Sequence, residues 1–221
     1  MKEIRHLRWI ALIALLAIAE LQYVWLANSY RLARESLRMK ADEVFRDASM
    51  EEMFHRMSVY KEQKFGGKDS SLVLKFEVDT AASAFQNMPN SWLMSSIHTA
   101  MQDYIYTEIH RDVSLPVLDS IYAHMLDSVG IRAEVASCIT DSTGRVLRAS
   151  AGKELYREST LKTDSLMLDF DEARFVQGVI TNPYWVIARR MTLVLIATVL
   201  IIAVAVVCVV IPLWIKLSNH G

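Results

Sequence analysis

Six histidines, two cysteines, eleven methionines and one acid within an apolar run are the residues whose chemistry could set a function. His55, His98, His110 and His124 are scattered along the middle of the chain. His98 shares a helix face with Gln102, but no second His, Asp, Glu or Cys recurs four residues on to complete a metal set. They read as solvated or packed histidines. An imidazole titrates near about 6.5, so a pH response through one of them is open, and nothing selects which. Met50, Met53 and Met57 fall on one helix face and approach the clustered thioethers that copper(I) needs, yet this spacing reads as core or dimer packing. Cys138 and Cys208 lie in different segments, one central and one apolar, so no intrachain disulfide is expected. A Gly-rich phosphate loop, HExxH, paired cysteines at metal spacing and Gly-x-Ser-x-Gly are all missing from the sequence. No catalytic residue, cofactor or metal is expected.

The remaining candidate is Glu20. It lies about eleven residues into an apolar run, where a charge costs on the order of 2.5–3.5 kcal/mol. It reads as a polar contact between membrane helices in a dimer, with Thr192 or Thr198 as partner. The competing reading is a protonated Glu20, or a helix shifted so that Glu20 and Gln22 reach headgroups.

That run needs elements to hold it. Of 221 residues, 52% are hydrophobic and only 22% charged, and the mean hydropathy is +0.21. The apolar excess gathers in two blocks. Residues 9–27 carry one charge, with Trp9 at one end and Tyr23 and Trp25 at the other, as in interfacial aromatic belts. No small-x-small cleavage site follows, so this block reads as an uncleaved anchor rather than a signal peptide. Residues 191–215 carry no charge and reach about 37 Å as a helix, enough to span with some tilt. Arg189 and Arg190 bound this block on one side and Lys216 on the other, and Pro212 sits near its exit. The net charge of -1 gives no basic field and argues against nucleic acid as a partner. Lys and Arg flank both sides of both blocks, so charge bias alone sets no orientation.

Between the blocks the pattern predicts an α+β domain. Tyr30, Ala33, Leu37, Ala41, Val44 and Ala48 recur at helical steps, and Met53, Met57 and Tyr60 continue them. No Gly or Pro intervenes before Gly66-Gly67, so the first membrane helix is expected to extend rigidly to about residue 63. Residues 71–79 alternate as a half-buried strand. One helix is expected after Asn90 or Ser91. A second starts at Ser114, turns Val117, Leu118, Ile121, Tyr122, Met125 and Val129 inward, and stops at Gly130. Strands are expected over 133–140 and 145–150, joined by Asp141-Ser142-Thr143-Gly144, then a loop over 151–162 and strands over 165–170 and 175–181. Asn182 is expected to cap a helix with Pro183 at its first position, running straight into the second span.

Three stretches resemble the sensor half of bacterial two-component histidine kinases. Gln22-Tyr23-Val24-Trp25-Leu26-Ala27-Asn28-Ser29-Tyr30-Arg31-Leu32 leaves the first span directly into a long helix. Cys138-Ile139-Thr140-Asp141-Ser142-Thr143-Gly144-Arg145-Val146-Leu147 is similar to the central hairpin of PAS-like extracytoplasmic sensor domains. Val179-Ile180-Thr181-Asn182-Pro183-Tyr184-Trp185 hands the last strand to the second span. The likeness covers the layout of nearly the whole chain. It departs after the second span: the phosphoacceptor His motif and the ATP domain are not in residues 216–221, and His220 has no Glu after it. These residues are therefore expected to carry no kinase activity.

The resemblance implies a cytoplasmic N-terminus (1–8), a first span (9–27), an extracytoplasmic sensor domain (28–188), a second span (189–215) and a cytoplasmic tail (216–221). It implies a homodimer in the bacterial inner membrane, with the central domain in the periplasm facing an unknown ligand or protein. Glu20, Asn182, Pro183 and Pro212 are the expected signal-transmission residues. The alternative is a membrane-anchored interaction or assembly protein without signalling output.

Overall fold

Residues from Lys2 to Phe65 form one helix, α1, and the absence of Gly and Pro before Gly66 is why nothing breaks it. The structure, a computed structural model, describes residues 2–65, 99–101, 112–169 and 173–218. The expected strand over 71–79 lies outside the described residues. Of the helix expected after Asn90, only 99–101 are described, and they are helical.

The chain divides into two units, residues 1–37 with 184–221 and residues 38–183. In the first unit, α1 supplies a segment long and apolar enough to cross a membrane. The other helices associated with it are α4 (Pro183–Arg190) and α5 (Thr192–Ser218). The expectation that the chain runs straight from Pro183 into the second apolar block is corrected here: α4 and α5 meet at Met191 with a bend of 64°. No Gly or Pro is needed for it. The Thr192 hydroxyl donates to the carbonyls of Arg189 (2.8 Å) and Ala188 (3.4 Å), competing for the last turn of α4. Such back-bonding bends helices.

In the second unit, four antiparallel strands pair in the order β2-β1-β4-β3: β1 (Val135–Thr140), β2 (Val146–Ala149), β3 (Leu166–Met167) and β4 (Phe175–Ile180). With the helices this makes an α+β fold. The turn between β1 and β2 forms as its residues dictate. One Asp141 carboxylate oxygen accepts from the Thr143 N–H, the Thr143 hydroxyl and the Arg145 N–H, and Gly144 takes φ +80°. These bonds hold the Asp141 carboxyl below the usual carboxylate range.

Helix α2 (Leu115–Ser128) starts beside Pro116 and stops at Gly130, which takes φ +79°. The Ser114 side chain makes no capping hydrogen bond. The buried stripe is Leu115, Leu118, Tyr122 and Leu126, rotated from the expected one so that Val129 is exposed. The loop expected over 151–162 contains a short helix, α3 (Lys153–Glu158). Its sequence gives no side-chain cap. Burial of Tyr156 against Ala136, Cys138 and Val179 holds it in place, a tertiary term that local pattern cannot show.

Candidate signal-transmission site

From Leu37 onward α1 turns into a core element. Leu37, Ala41, Val44, Phe45, Ala48 and Met53 are buried. Phe45 lies against β4 at Gly178, where a Cβ would meet its ring at 2.6 Å, so only glycine admits the ring there. The same ring makes an edge-on contact with Tyr122 of α2, centroids 5.1 Å apart. The Tyr122 hydroxyl donates to the Ala41 carbonyl at 3.4 Å. Burial raises the Tyr122 phenol well above its ordinary range, so it stays a neutral donor.

Polar contacts pin α1 at two further points. Asp42 accepts from the Asp164 N–H at 2.8 Å, and Arg38 donates to the Asp164 carboxylate at 3.1 Å. One helical step beyond Ala48, Glu52 and Arg56 form an ion pair at 2.9 Å, almost wholly buried. The second Glu52 oxygen accepts from the Ser114 N–H at 3.0 Å, occupying the start of α2 in place of a Ser114 cap. Burial pushes the Glu52 carboxyl up, and the Arg56 charge and the Ser114 bond pull it back in part.

The far end of β4 is tied to the start of β1. The Thr181 N–H donates to the Glu134 carbonyl at 2.9 Å, and the Glu134 N–H donates to the Asn182 amide oxygen at 3.1 Å. Asn182 was expected to cap the following helix. That amide oxygen stands at the sheet edge, at the mouth of β1. Pro183 is buried and opens α4.

The four residues expected to transmit a signal divide between the units. Asn182 and Pro183 belong to the domain of residues 38–183, and Glu20 and Pro212 to the apolar unit. Glu20 is exposed on α1. Within the chain neither proposed threonine reaches it: Thr192 bonds as described above, and Thr198 donates to Val194 at 2.9 Å. Helix α5 continues through Pro212.

A buried polar nest was not anticipated. The Tyr156 hydroxyl donates to the Ser137 carbonyl at 2.6 Å and lies 3.1 Å from the Ser150 hydroxyl. The Ser137 N–H donates to Ser150 at 3.0 Å. Asp119 of α2 faces the Ser137 and Ser150 hydroxyls, yet one of its oxygens and the Ser137 hydroxyl are buried with no hydrogen-bond partner among the described residues. Burial pushes the Asp119 carboxyl up, and the two hydroxyls oppose the shift. Cys138, next to this nest, is buried and its thiol is pushed up to about 11, so it is no reactive thiolate. Ser, Asp and Tyr spaced over 119–156 carry no pattern; the β1–β2 pairing and the packing of α2 and α3 against those strands bring them together.

Among the described residues no group of three or more His, Cys, Asp or Glu is placed to hold a metal. His55 and His124 are exposed, while His98 and His110 lie outside the described residues. Met53 is buried in the core, with Met50 and Met57 half-buried beside it. No protein-family model, curated protein or solved structure matches the chain. Within residues 38–183 the sheet and α1 are fitted together through Phe45 against Gly178 and through the Asp42 contact with Asp164, and Glu52 ties α1 to the start of α2.

Proposed function

We propose that the chain is the membrane-bound input module of a signal-transduction receptor of the sensor histidine kinase type. In this reading α1 and the α4–α5 segment are two membrane spans, and residues 38–183 form a PAS-like domain in the periplasm of a bacterium. The module is a homodimer, and it acts by conformational transmission rather than by catalysis. One observation carries the proposal. α1 is a single helix whose first part is apolar enough for a membrane and whose later part is buried against β4, the strand that leads into α4. A ligand or partner that shifts the sheet against Phe45 therefore moves a helix with no break in it before the bilayer. The resemblance of 22–32, 138–147 and 179–185 to histidine-kinase sensors supplies the class of output.

Topology tests it. Ser142 stands exposed in the β1–β2 turn. In spheroplasts, a membrane-impermeant maleimide is expected to label Ser142→Cys without lysis and Arg5→Cys only after lysis. The reverse pattern, or release of the chain by alkaline carbonate, contradicts the proposal. A chain that labels as expected but stays monomeric favours the anchored assembly protein instead.

A further inference from the structure

Within the apolar unit, α1 and the α4–α5 bend enclose an open groove of about 370 Å³, walled by Tyr23, Ala27 and Tyr30 from one side and Tyr184, Ala188 and Met191 from the other. This is the size of a small-molecule site, and its walls are almost wholly apolar. Tyr23, Ala27 and Tyr30 are one stripe of α1, and the next position on that stripe is Arg34. Arg31 adjoins Tyr30, and Arg189 and Arg190 follow Ala188 directly. All four arginines are exposed. No Asp or Glu occurs over 21–34 or over 182–216, and Arg31, Arg189 and Arg190 pair with no carboxylate among the described residues. Trp25 and Trp185, both exposed, stand beside the groove in sequence, as aromatic residues do at a headgroup boundary.

An apolar slot whose lining residues Tyr30 and Ala188 are followed in the chain by Arg31 and by Arg189 and Arg190 matches a ligand with an apolar chain and an anionic head. We propose that the groove is a binding site for an anionic phospholipid: one acyl chain lies in the slot between Ala27 and Ala188, and the phosphate meets Arg31, Arg189 and Arg190. The charge complementarity selects this occupant, since a neutral lipid or a second copy of the apolar helices would leave the cations unanswered. Basic pockets between membrane helices hold anionic headgroups on the same logic. The site rests on the reading that α1 and α5 span a bilayer. It gives the bend at Met191 a purpose, because the bend opens one wall of the slot. Lipid bound there would set the angle at which α4 leaves the membrane.

The test uses the full chain in nanodiscs of phosphatidylcholine with and without phosphatidylglycerol. Lipids retained per protomer are counted by native mass spectrometry, and carbonate extraction of the source membranes is run in parallel. The wild type is expected to keep phosphatidylglycerol over phosphatidylcholine by roughly tenfold, the scale set by one or two surface arginines. Ala188→Trp, which fills the slot, and Arg189→Gln/Arg190→Gln are each expected to lose most of that preference while resisting carbonate. Equal retention of both lipids by a carbonate-resistant wild type overturns the lipid site and leaves the membrane reading intact. Preference unchanged in Ala188→Trp, or a changed oligomeric state with lipid retention unaltered, overturns it too. Carbonate release of the wild type overturns both.

Discussion

The Phe45 ring occupies the space in which any side chain at position 178 would have its Cβ, 2.6 Å away. Helix α1 and strand β4 are thus fitted to each other at one point, with Tyr122 edge-on behind the ring at 5.1 Å. A shift of β4 cannot be absorbed there without moving Phe45.

Gly178→Ala is expected to destabilise the protein by about 1–3 kcal/mol through overpacking. Phe45→Leu in the same chain should recover part of that loss by making room. Thermal melts of the single and double variants check this. Equal losses in Gly178→Ala with and without Phe45→Leu would show that the two positions do not bear on each other.

The Glu52–Arg56 pair predicts an asymmetry. Arg56→Met strands a buried carboxylate and is expected to cost about 3–5 kcal/mol, whereas Glu52→Gln/Arg56→Met leaves no lone charge and should cost less. Denaturant midpoints measure both. A double variant worse than Arg56→Met would contradict the assignment of the cost to an uncompensated charge.

Asp119 predicts a pH dependence whose sign follows from its raised folded pKa. The neutral carboxyl suits the nest of Ser137, Ser150, Tyr156 and Cys138, so its stabilising share is complete below about pH 3.9, the value of an unfolded aspartate. That share is lost as the pH rises through the folded value. Asp119→Asn, neutral throughout, is expected to match the wild type near pH 4. Near pH 7 it should exceed the wild type by on the order of 1 kcal/mol, the scale of a buried unsatisfied group. Melting curves at the two pH values decide it; a variant weaker than the wild type at pH 7 goes against the sign.

Thr192→Val removes both hydroxyl bonds to the end of α4. The 64° bend at Met191 is then expected to open toward a straight helix, read as a longer distance between spin labels at positions 185 and 199 in nanodiscs. An unchanged distance would assign the bend to packing instead.

Much of the local structure was legible in the residues themselves. Uninterrupted helical spacing before Gly66 placed the end of α1, and Asp141 with Gly144 placed the β1–β2 turn, because each is set by neighbours in sequence. Terms that act across the fold left no such mark. Glu52 and Arg56 stand at the spacing of an ordinary solvent pair, yet both are buried, with Glu52 bonded to the Ser114 N–H at the start of α2. Tyr156 holds α3 through a bond to Ser137 on another element. Thr192 is a neutral residue in an apolar run until its hydroxyl is seen to reach back to α4. Asn182 has the residue type of a helix cap, and its bond from the Glu134 N–H, 48 residues away in sequence, shows only in the fold. Among the residues expected to transmit, Asn182 and Pro183 do sit where the last strand ends. Glu20 and Pro212 lie in the apolar unit, and in the proposed dimer their contacts would be with a second protomer.

The central claim is that displacing the sheet displaces α1 within the membrane. Its most direct measurement is the distance between spin labels at Leu21→Cys in the two protomers of a dimer in nanodiscs, with Cys138 and Cys208 replaced by alanine. Leu21 is exposed on α1 in the apolar unit, whereas Phe45 and the sheet belong to the unit of residues 38–183. Gly178→Ala is expected to shift that distance by about 1–2 Å, the scale of helix shifts in switching proteins, and Phe45→Leu should restore it. Superimposable distances in a chain whose melting point shows that Gly178→Ala has strained the domain would contradict the account.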